Sequence, residues 1–371
     1  MQAALISLSL GLSSGCDGSS SDTEVQALVD MASSGDRDGG AEMSRADLPA
    51  RPVDMSAGSV DMSGPDMGEQ EQGNPLEDRV EVKKVEFSKM AGKIDNPIWY
   101  QAASRLVFNN DGVQGLSNDG AVESLYVLED GSAHSPKTVD REGDLLGLYF
   151  PVAGEVEEHI VRFDGQGAVK ETLASAYRGH RLPHANDMAV GVDGTVYFTQ
   201  RRGKPEDDYL ENRNGSGALF RVSPAGEVVD EVNSTTLQNF RNPNGIAVSP
   251  DGRTLYVGTS DYDERSHAGL WRFGVDADGT LGAGQFLGKA GRPDGICVDV
   301  RENIYISNGG GKRLHVMSPD GELWGQIELP HGSHTNCGFG GAQGQTLYVS
   351  TQRALFSVEL PVKGELYSRQ Q

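Results

Sequence analysis

Residues 241–261 read RNPNGIAVSPDGRTLYVGTSD, and residues 291–311 restate the phrase as GRPDGICVDVRENIYISNGGG. Each copy runs from a polar segment into a short apolar strand, through an acidic turn, and out along a second apolar strand. Asn244 and Asp294 hold the same place in the phrase, just before Ile246-Ala247-Val248 and Ile296-Cys297-Val298. Short strands repeating at about 50 residues predict the blades of a β-propeller.

Working outward, the phrase recurs six times. It begins near Asp95 (DNPIWYQAASRLVF), Ser135 (SPKTVDREGDLLGLYF), His184 (HANDMAVGVDGTVYFT), Asn242, Arg292 and His334 (HTNCGFGGAQGQTLYVS). The outer strands of the blades are legible in segments such as GALFRVSPAGEVV and GLWRFGVDADG, whose Pro-Ala-Gly and Ala-Asp-Gly triplets are hairpin turns. The last blade offers only three clear strands. Arg79 to Phe87, RVEVKKVEF, alternates apolar and charged residues and is expected to supply the fourth, closing the ring and removing exposed sheet edges. The predicted fold is an all-β, six-bladed propeller over residues 79–371.

Ahead of it lie two segments of different character. Residues 1–16, MQAALISLSLGLSSGC, join a short apolar run to small residues and a cysteine, and resemble a lipoprotein signal with lipid attached to Cys16. There is no Lys or Arg before the run, and Ser13 stands where such signals usually carry Leu. Residues 17–78 are rich in Ser, Asp, Gly and Met and hold 15 acids against 3 arginines. So polar a stretch buries too little apolar surface to offset chain entropy, and a disordered acidic linker is expected. The protein is therefore expected to be exported to the cell envelope and held there by a lipid anchor.

The formal net charge of −22 argues against nucleic acid or an anionic lipid surface as a partner. The linker carries over half of that charge, so the folded domain is only moderately acidic. Three cysteines do not make a disulfide framework. Cys297 and Cys337 fall on adjacent inner strands at similar depth and are read as buried thiols. No apolar run approaches the roughly 18 residues of a membrane-spanning helix.

In a propeller the first strand of every blade lines the central channel, so residues at the starts of those strands converge on one mouth. Asp95, Asn186, Asn244 and Asp294 occupy that place. Two carboxylates and two amide carbonyls form a hard oxygen set suited to Ca²⁺, which takes roughly 6–8 oxygens in irregular geometry. Other hard divalent cations, Mn²⁺, Mg²⁺ or Zn²⁺, are alternatives. Asp193-Gly194, Asp251-Gly252 and Asp320-Gly321 lie between strands instead and read as turns. His184 lines the mouth by register, as catalytic or substrate-binding residue. His334 precedes the sixth inner strand and is read as a loop histidine. Asp187 is read as a backbone-bonding turn residue, and Arg201 and Arg202 as a solvated pair. No Ser or Cys stands in a nucleophile-elbow context, and the glycine clusters at 309–311 and 338–341 lack the helix and Lys of a phosphate loop.

From about Ile94 to Leu360 the chain resembles the senescence-marker-protein/gluconolactonase family of six-bladed propellers, also called the regucalcin family. The resemblance is carried by YRGHRLPHANDMAVGVDGTVYFT from Tyr177, NPNGIAVSPDGRTLYV from Asn242, RPDGICVD from Arg292 and HTNCGFGGAQGQTLYVS from His334. It implies that Asn244 and Asp294 are metal ligands, that Asn186 binds substrate or the metal's water shell, and that Asp294 is the general base. Two places depart from the family pattern. The family's Glu-Gly-Pro-x-Trp is Asp95-Asn96-Pro97-Ile98-Trp99 here, and His184 stands where members often carry a substrate-binding Arg. The implied activity is Ca²⁺-assisted opening of a sugar lactone or similar cyclic ester, with the metal as Lewis acid. Alternatives are a non-catalytic propeller that binds a sugar or peptide around structural Ca²⁺, and a hydrolase of phosphoesters or aryl esters on the same site.

Overall fold

The computed structural model describes residues 73–365, apart from 78–79, 87–92, 111, 118–119, 126–131, 152–156, 165, 202–216, 234–235 and 261–267. The signal-like segment with Cys16, residues 17–72 of the linker, and Arg202 lie outside the described residues.

Alternating apolar residues with frequent β-branching set the strands, and glycine turns return them. Five four-stranded antiparallel sheets follow in chain order, with first strands Asp95–Tyr100, Ala133–Val139, Asp187–Val190, Pro243–Val248 and Pro293–Val298. The sixth takes His334–Gly340, Thr346–Thr351 and Leu355–Glu359 from the C-terminal end and Val82–Lys84 from the N-terminal end. Val82 pairs with Val358 and Lys84 with Phe356, so the strand expected within Arg79 to Phe87 does close the ring. Each first strand packs against the first strands of both neighbouring blades, and the sixth packs against the first. The chain is a six-bladed β-propeller.

The core is a set of apolar clusters where blades meet, such as Tyr197, Leu219, Ile246, Val257, Trp271 and Phe273 between the third and fourth. Tyr197, Tyr256 and Tyr305 of the recurring second strand are buried where blades meet, and the hydroxyls of the first two tie one blade to the next. The Tyr197 hydroxyl donates to the Gly279 carbonyl (2.7 Å) and that of Tyr256 to Glu302 (2.7 Å). Residues 73–77, at the end of the segment read as linker, also pack on the domain. The Asn74 amide donates to the Trp324 carbonyl (3.4 Å), and Leu76 lies against the cluster shared by the fifth and sixth blades.

Two kinds of acid-Gly or amide-Gly dipeptide separate as the sequence suggests. Gly194, Gly252 and Gly321 take positive φ in hairpin turns, where their N–H groups close back on Gly191, Ser249 and Ser318. Gly245 and Gly295 lie within strands at ordinary φ, and need to be glycine for another reason. A Cβ on Gly245 would stand 2.3 Å from the Asp294 carbonyl oxygen, and one on Gly295 would overlap the Asn336 side chain at 1.9 Å. Glycine after Asn244 and Asp294 lets neighbouring inner strands come close enough for their side chains to meet.

Cys297 and Cys337 are joined in a disulfide with a Cα separation of 6.0 Å, which corrects their reading as thiols. Equal depth on neighbouring inner strands is the geometry a disulfide needs.

Candidate functional site at the channel mouth

The mouth is built from the chain segments that enter the inner strands. Asn186 is pinned where its backbone N–H meets the Thr199 carbonyl (2.7 Å), and its side-chain amide donates to Oδ1 of Asn244. Asn244 is almost wholly buried. Its Nδ2 donates to Oδ1 of Asp294 (2.8 Å) and to the Pro293 carbonyl (3.3 Å). Three of the four expected ligands thus form one hydrogen-bonded chain across the third, fourth and fifth blades.

Asp95 joins this chain through its charge. Burial, and after it the negative charge of Asp95, push the Asp294 carboxyl up to about 6. Lys93, Arg201 and the Asn244 hydrogen bond pull the other way without cancelling that rise. Asp95 itself is held by Lys93 Nζ at its Oδ2 (2.6 Å) and by the Asn96 N–H at its Oδ1 (3.1 Å). Arg201, read as a solvated residue, is half-buried, and its charge bears on Asp294.

In ladder register Asp95 pairs with Asn109 as Pro243 pairs with Thr259 and Pro293 with Asn308. The residue that matches Asn244 and Asp294 in the first blade is therefore Asn96. It has φ 47°, its amide donates to the Pro136 carbonyl (3.3 Å), and its Oδ1 accepts from Asn336 (2.7 Å).

His184 lies two residues before Asn186 at the rim. Its Nδ1 stands 3.0 Å from Oε2 of Glu158, a residue of zero exposure. Asp187 sits one step inside the mouth, in the third inner strand rather than in a turn. Its Oδ1 accepts from the Met188 N–H (3.0 Å). Burial raises its carboxyl to about 7, with Lys137 opposing and Asp95 reinforcing. Below it the channel is lined with apolar side chains, among them Ile98, Val139, Val248, Val298 and Phe339. His334 is fully buried, bonds the His331 carbonyl through Nε2 (3.2 Å), and is lowered by burial to about 4. It serves its loop.

Glu158, Lys93 and Lys137 had no sequence signal. Glu158 falls in the run EVEEH, which reads as a solvated acidic stretch, and only the packing of the second blade against the third buries it.

Among the described residues no group of three or more His, Cys, Asp and Glu side chains is placed to hold a metal. The mouth offers two carboxylates and two amide oxygens instead. That oxygen-only set suits a hard cation, and a carboxyl raised first by desolvation and then by the Asp95 charge is the imbalance such a cation relieves.

Fold and site together define a six-bladed propeller with acids and amides gathered at one mouth of its channel. Residues 104–353 match the SMP-30/gluconolactonase/LRE-like family, and the chain is a member of it. It is 27% identical over 336 residues to a gluconolactonase of Zymomonas mobilis, covering 83% of this chain and 90% of that protein. It is 31% identical over 205 residues to a 6-deoxy-6-sulfogluconolactonase of Pseudomonas putida, covering 54% of this chain and 65% of that one. Among solved structures, a gluconolactonase from Xanthomonas campestris superposes with TM-score 0.61 at 28% identity, over 76% of this chain and 90% of that one. The calcium-binding protein regucalcin from Agrobacterium tumefaciens shares the fold, with TM-score 0.56 at 19% identity over 77% of this chain and 95% of that one.

Proposed function

We propose that this protein is a divalent-metal-dependent lactonase, opening a sugar lactone or similar cyclic ester at the mouth of its channel. The observation that carries the reading is Asp294, a desolvated carboxyl raised to about 6 and hydrogen-bonded to Asn244. A base is most useful when it titrates near working pH. The match along 90% of a gluconolactonase supports the substrate class.

Asp294, Asn244 and Asp95, with Asn186 or its bound water, would hold the cation, Ca²⁺ by donor chemistry. When bound it supplies Lewis-acid polarisation of the lactone carbonyl. Asp294 takes the proton from the attacking water as its oxygen bonds the carbonyl carbon. The ring C–O bond then breaks, and the proton passes to the departing ring oxygen. Asn186 and His184 orient the substrate, and the apolar channel below keeps bulk water from the underside of the site. Base assistance of this kind is worth about 10²–10⁴-fold.

The test is a lactone panel assayed with Ca²⁺ and with chelator, for the wild type and for Asp294→Ala. Turnover is expected to require the cation and to vanish in the variant. Tight Ca²⁺ binding with no turnover of any ester would favour the non-catalytic propeller, and turnover surviving in a metal-bound Asp294→Ala protein would remove Asp294 from the role of base. We further infer that the domain is displayed from the cell envelope on its acidic segment through lipidated Cys16. The Cys297–Cys337 disulfide supports an oxidising compartment, and Cys16→Ser should release the protein from membranes.

A further inference from the structure

Glu158 stands immediately before the strand His159–Phe163 of the second blade, with its side chain sealed from solvent. Its two oxygens have different duties. Oε1 accepts the backbone N–H of Ala185. Oε2 lies 3.0 Å from the Nδ1 of His184, yet no well-directed hydrogen bond reaches it, from His184 or from any other group. The contact is thus one of charge and proximity, a buried carboxylate oxygen against the Nδ1 edge of the imidazole.

A buried carboxyl oxygen without a donor is costly, and among the described residues the polar atom that faces Oε2 is the His184 Nδ1 at 3.0 Å. The carboxylate's charge favours the proton on Nδ1, which in a neutral imidazole leaves the lone pair on Nε2. The side chain is 39% exposed while its Nδ1 faces a fully buried partner, which leaves Nε2 as the nitrogen that can turn to the mouth. Asn186 follows two residues later, about 7 Å of extended chain at most, and its amide is bonded to Asn244 at the centre of the mouth.

We propose that Glu158 is a positioning residue that locks His184 as a hydrogen-bond acceptor at the mouth, where it reads a hydroxyl of a neutral polyhydroxylated lactone. The inference rests on the lactonase reading for its substrate. An Arg at this place presents donors and welcomes a carboxylate or sulfonate. An Nε2 lone pair wants a donor and has nothing to offer an anionic substituent.

Glu158→Gln gives a direct test, because the isosteric amide is forced into one orientation. Its oxygen must stay on the Ala185 N–H, so its NH₂ faces Nδ1 and reverses the tautomer. Long-range ¹H–¹⁵N correlation on ¹⁵N-histidine-labelled protein at about pH 8.5, where an ordinary imidazole is neutral, should show Nδ1–H in the wild type and Nε2–H in the variant. In the variant, KM for D-glucono-1,5-lactone should rise about 3–10-fold, the worth of one hydrogen bond. The loss should fall on KM rather than kcat, and discrimination against the 6-deoxy-6-sulfo analogue should shrink. Nε2–H in the wild type, an unchanged tautomer in the variant, or an unchanged KM beside a reversed tautomer would each overturn the proposal. The wild-type spectrum decides even if the variant fails to fold. It also stands apart from turnover: a protein inert on every lactone removes the substrate, while the tautomer still judges the role of Glu158.

Discussion

Replacing Asp294 by Asn should make the metal-free protein more stable at neutral pH, although it removes a charge from the centre of the site. The lift of its carboxyl from 3.8 to about 6 corresponds to at most about 3 kcal/mol of destabilisation once the group is ionised. The residue is only half-buried, and solvent screening brings the expectation to about 1–2 kcal/mol. The folded state holds this proton to higher pH than the unfolded chain does. The cost is therefore absent below about 3.8, grows as pH rises, and is complete above about 6. Asn keeps an oxygen to accept from Asn244, so little else changes. Thermal unfolding in chelator at about pH 7.5 should place the variant roughly 2–8 °C above the wild type, with convergence near about pH 4. Saturating Ca²⁺ should reverse the order, since a ligand at 100 times its Kd stabilises by about 2.7 kcal/mol and the variant lacks a charged ligand. A variant that melts below the wild type in chelator, or by a margin independent of pH, would refute the picture of a strained carboxylate awaiting a cation.

Three further outcomes follow from the packing. Gly245→Ala forces a Cβ to within 2.3 Å of the Asp294 carbonyl oxygen and should cost about 1–3 kcal/mol in urea unfolding, with metal affinity lost as the fourth and fifth inner strands separate. Cys297→Ala/Cys337→Ala opens a link spanning 40 residues and should cost up to about 4 kcal/mol; equal unfolding midpoints with and without reductant in the wild type would mean that no bond forms. Asp95→Asn removes the charge that, after burial, raises Asp294, so in the metal-free protein the Asp294 carboxyl, followed by carboxyl-carbon NMR in chelator, should titrate at lower pH. A titration that stays in place would put the two carboxyls out of electrostatic reach.

The ring was legible because its information is local. Each blade writes its own alternation and turns, and the closing strand announces itself by pattern although it lies far from its partner. The place of Asn186, Asn244 and Asp294 at the mouth was legible through register: Asn244-Gly245 and Asp251-Gly252 are alike as dipeptides, and only their place relative to the first strand separates channel from hairpin. What escaped depends on contacts between blades. Glu158 looks like a surface acid until the Ala185 segment covers it. Cys297 and Cys337 are 40 residues apart, and only the closeness of adjacent inner strands makes them a pair. Arg201 follows a strand like any solvated arginine, yet the strand delivers its charge to Asp294. Position in the repeat tells which face a residue takes, and not what comes to meet it.

The first blade shows what that distinction does to function. Its ladder equivalent of Asn244 is Asn96, used up in bonds to Pro136 and Asn336, so a ligand from this blade would have to be Asp95, one residue upstream. Both Asp95 oxygens are already engaged, Oδ2 by the Lys93 ammonium and Oδ1 by the Asn96 N–H. A cation at the mouth must compete with Lys93 for this carboxylate. The ion pair is largely exposed and worth about 0.2–1 kcal/mol, so Lys93→Ala should tighten Ca²⁺ binding by up to about fivefold. It should also raise the Asp294 carboxyl further, since Lys93 is among the charges that lower it. Calorimetric titration of the metal-free variant measures the first effect. Affinity that is unchanged or weakened would mean that Asp95 does not contribute to the cation site, leaving Asn186, Asn244 and Asp294 to hold it alone.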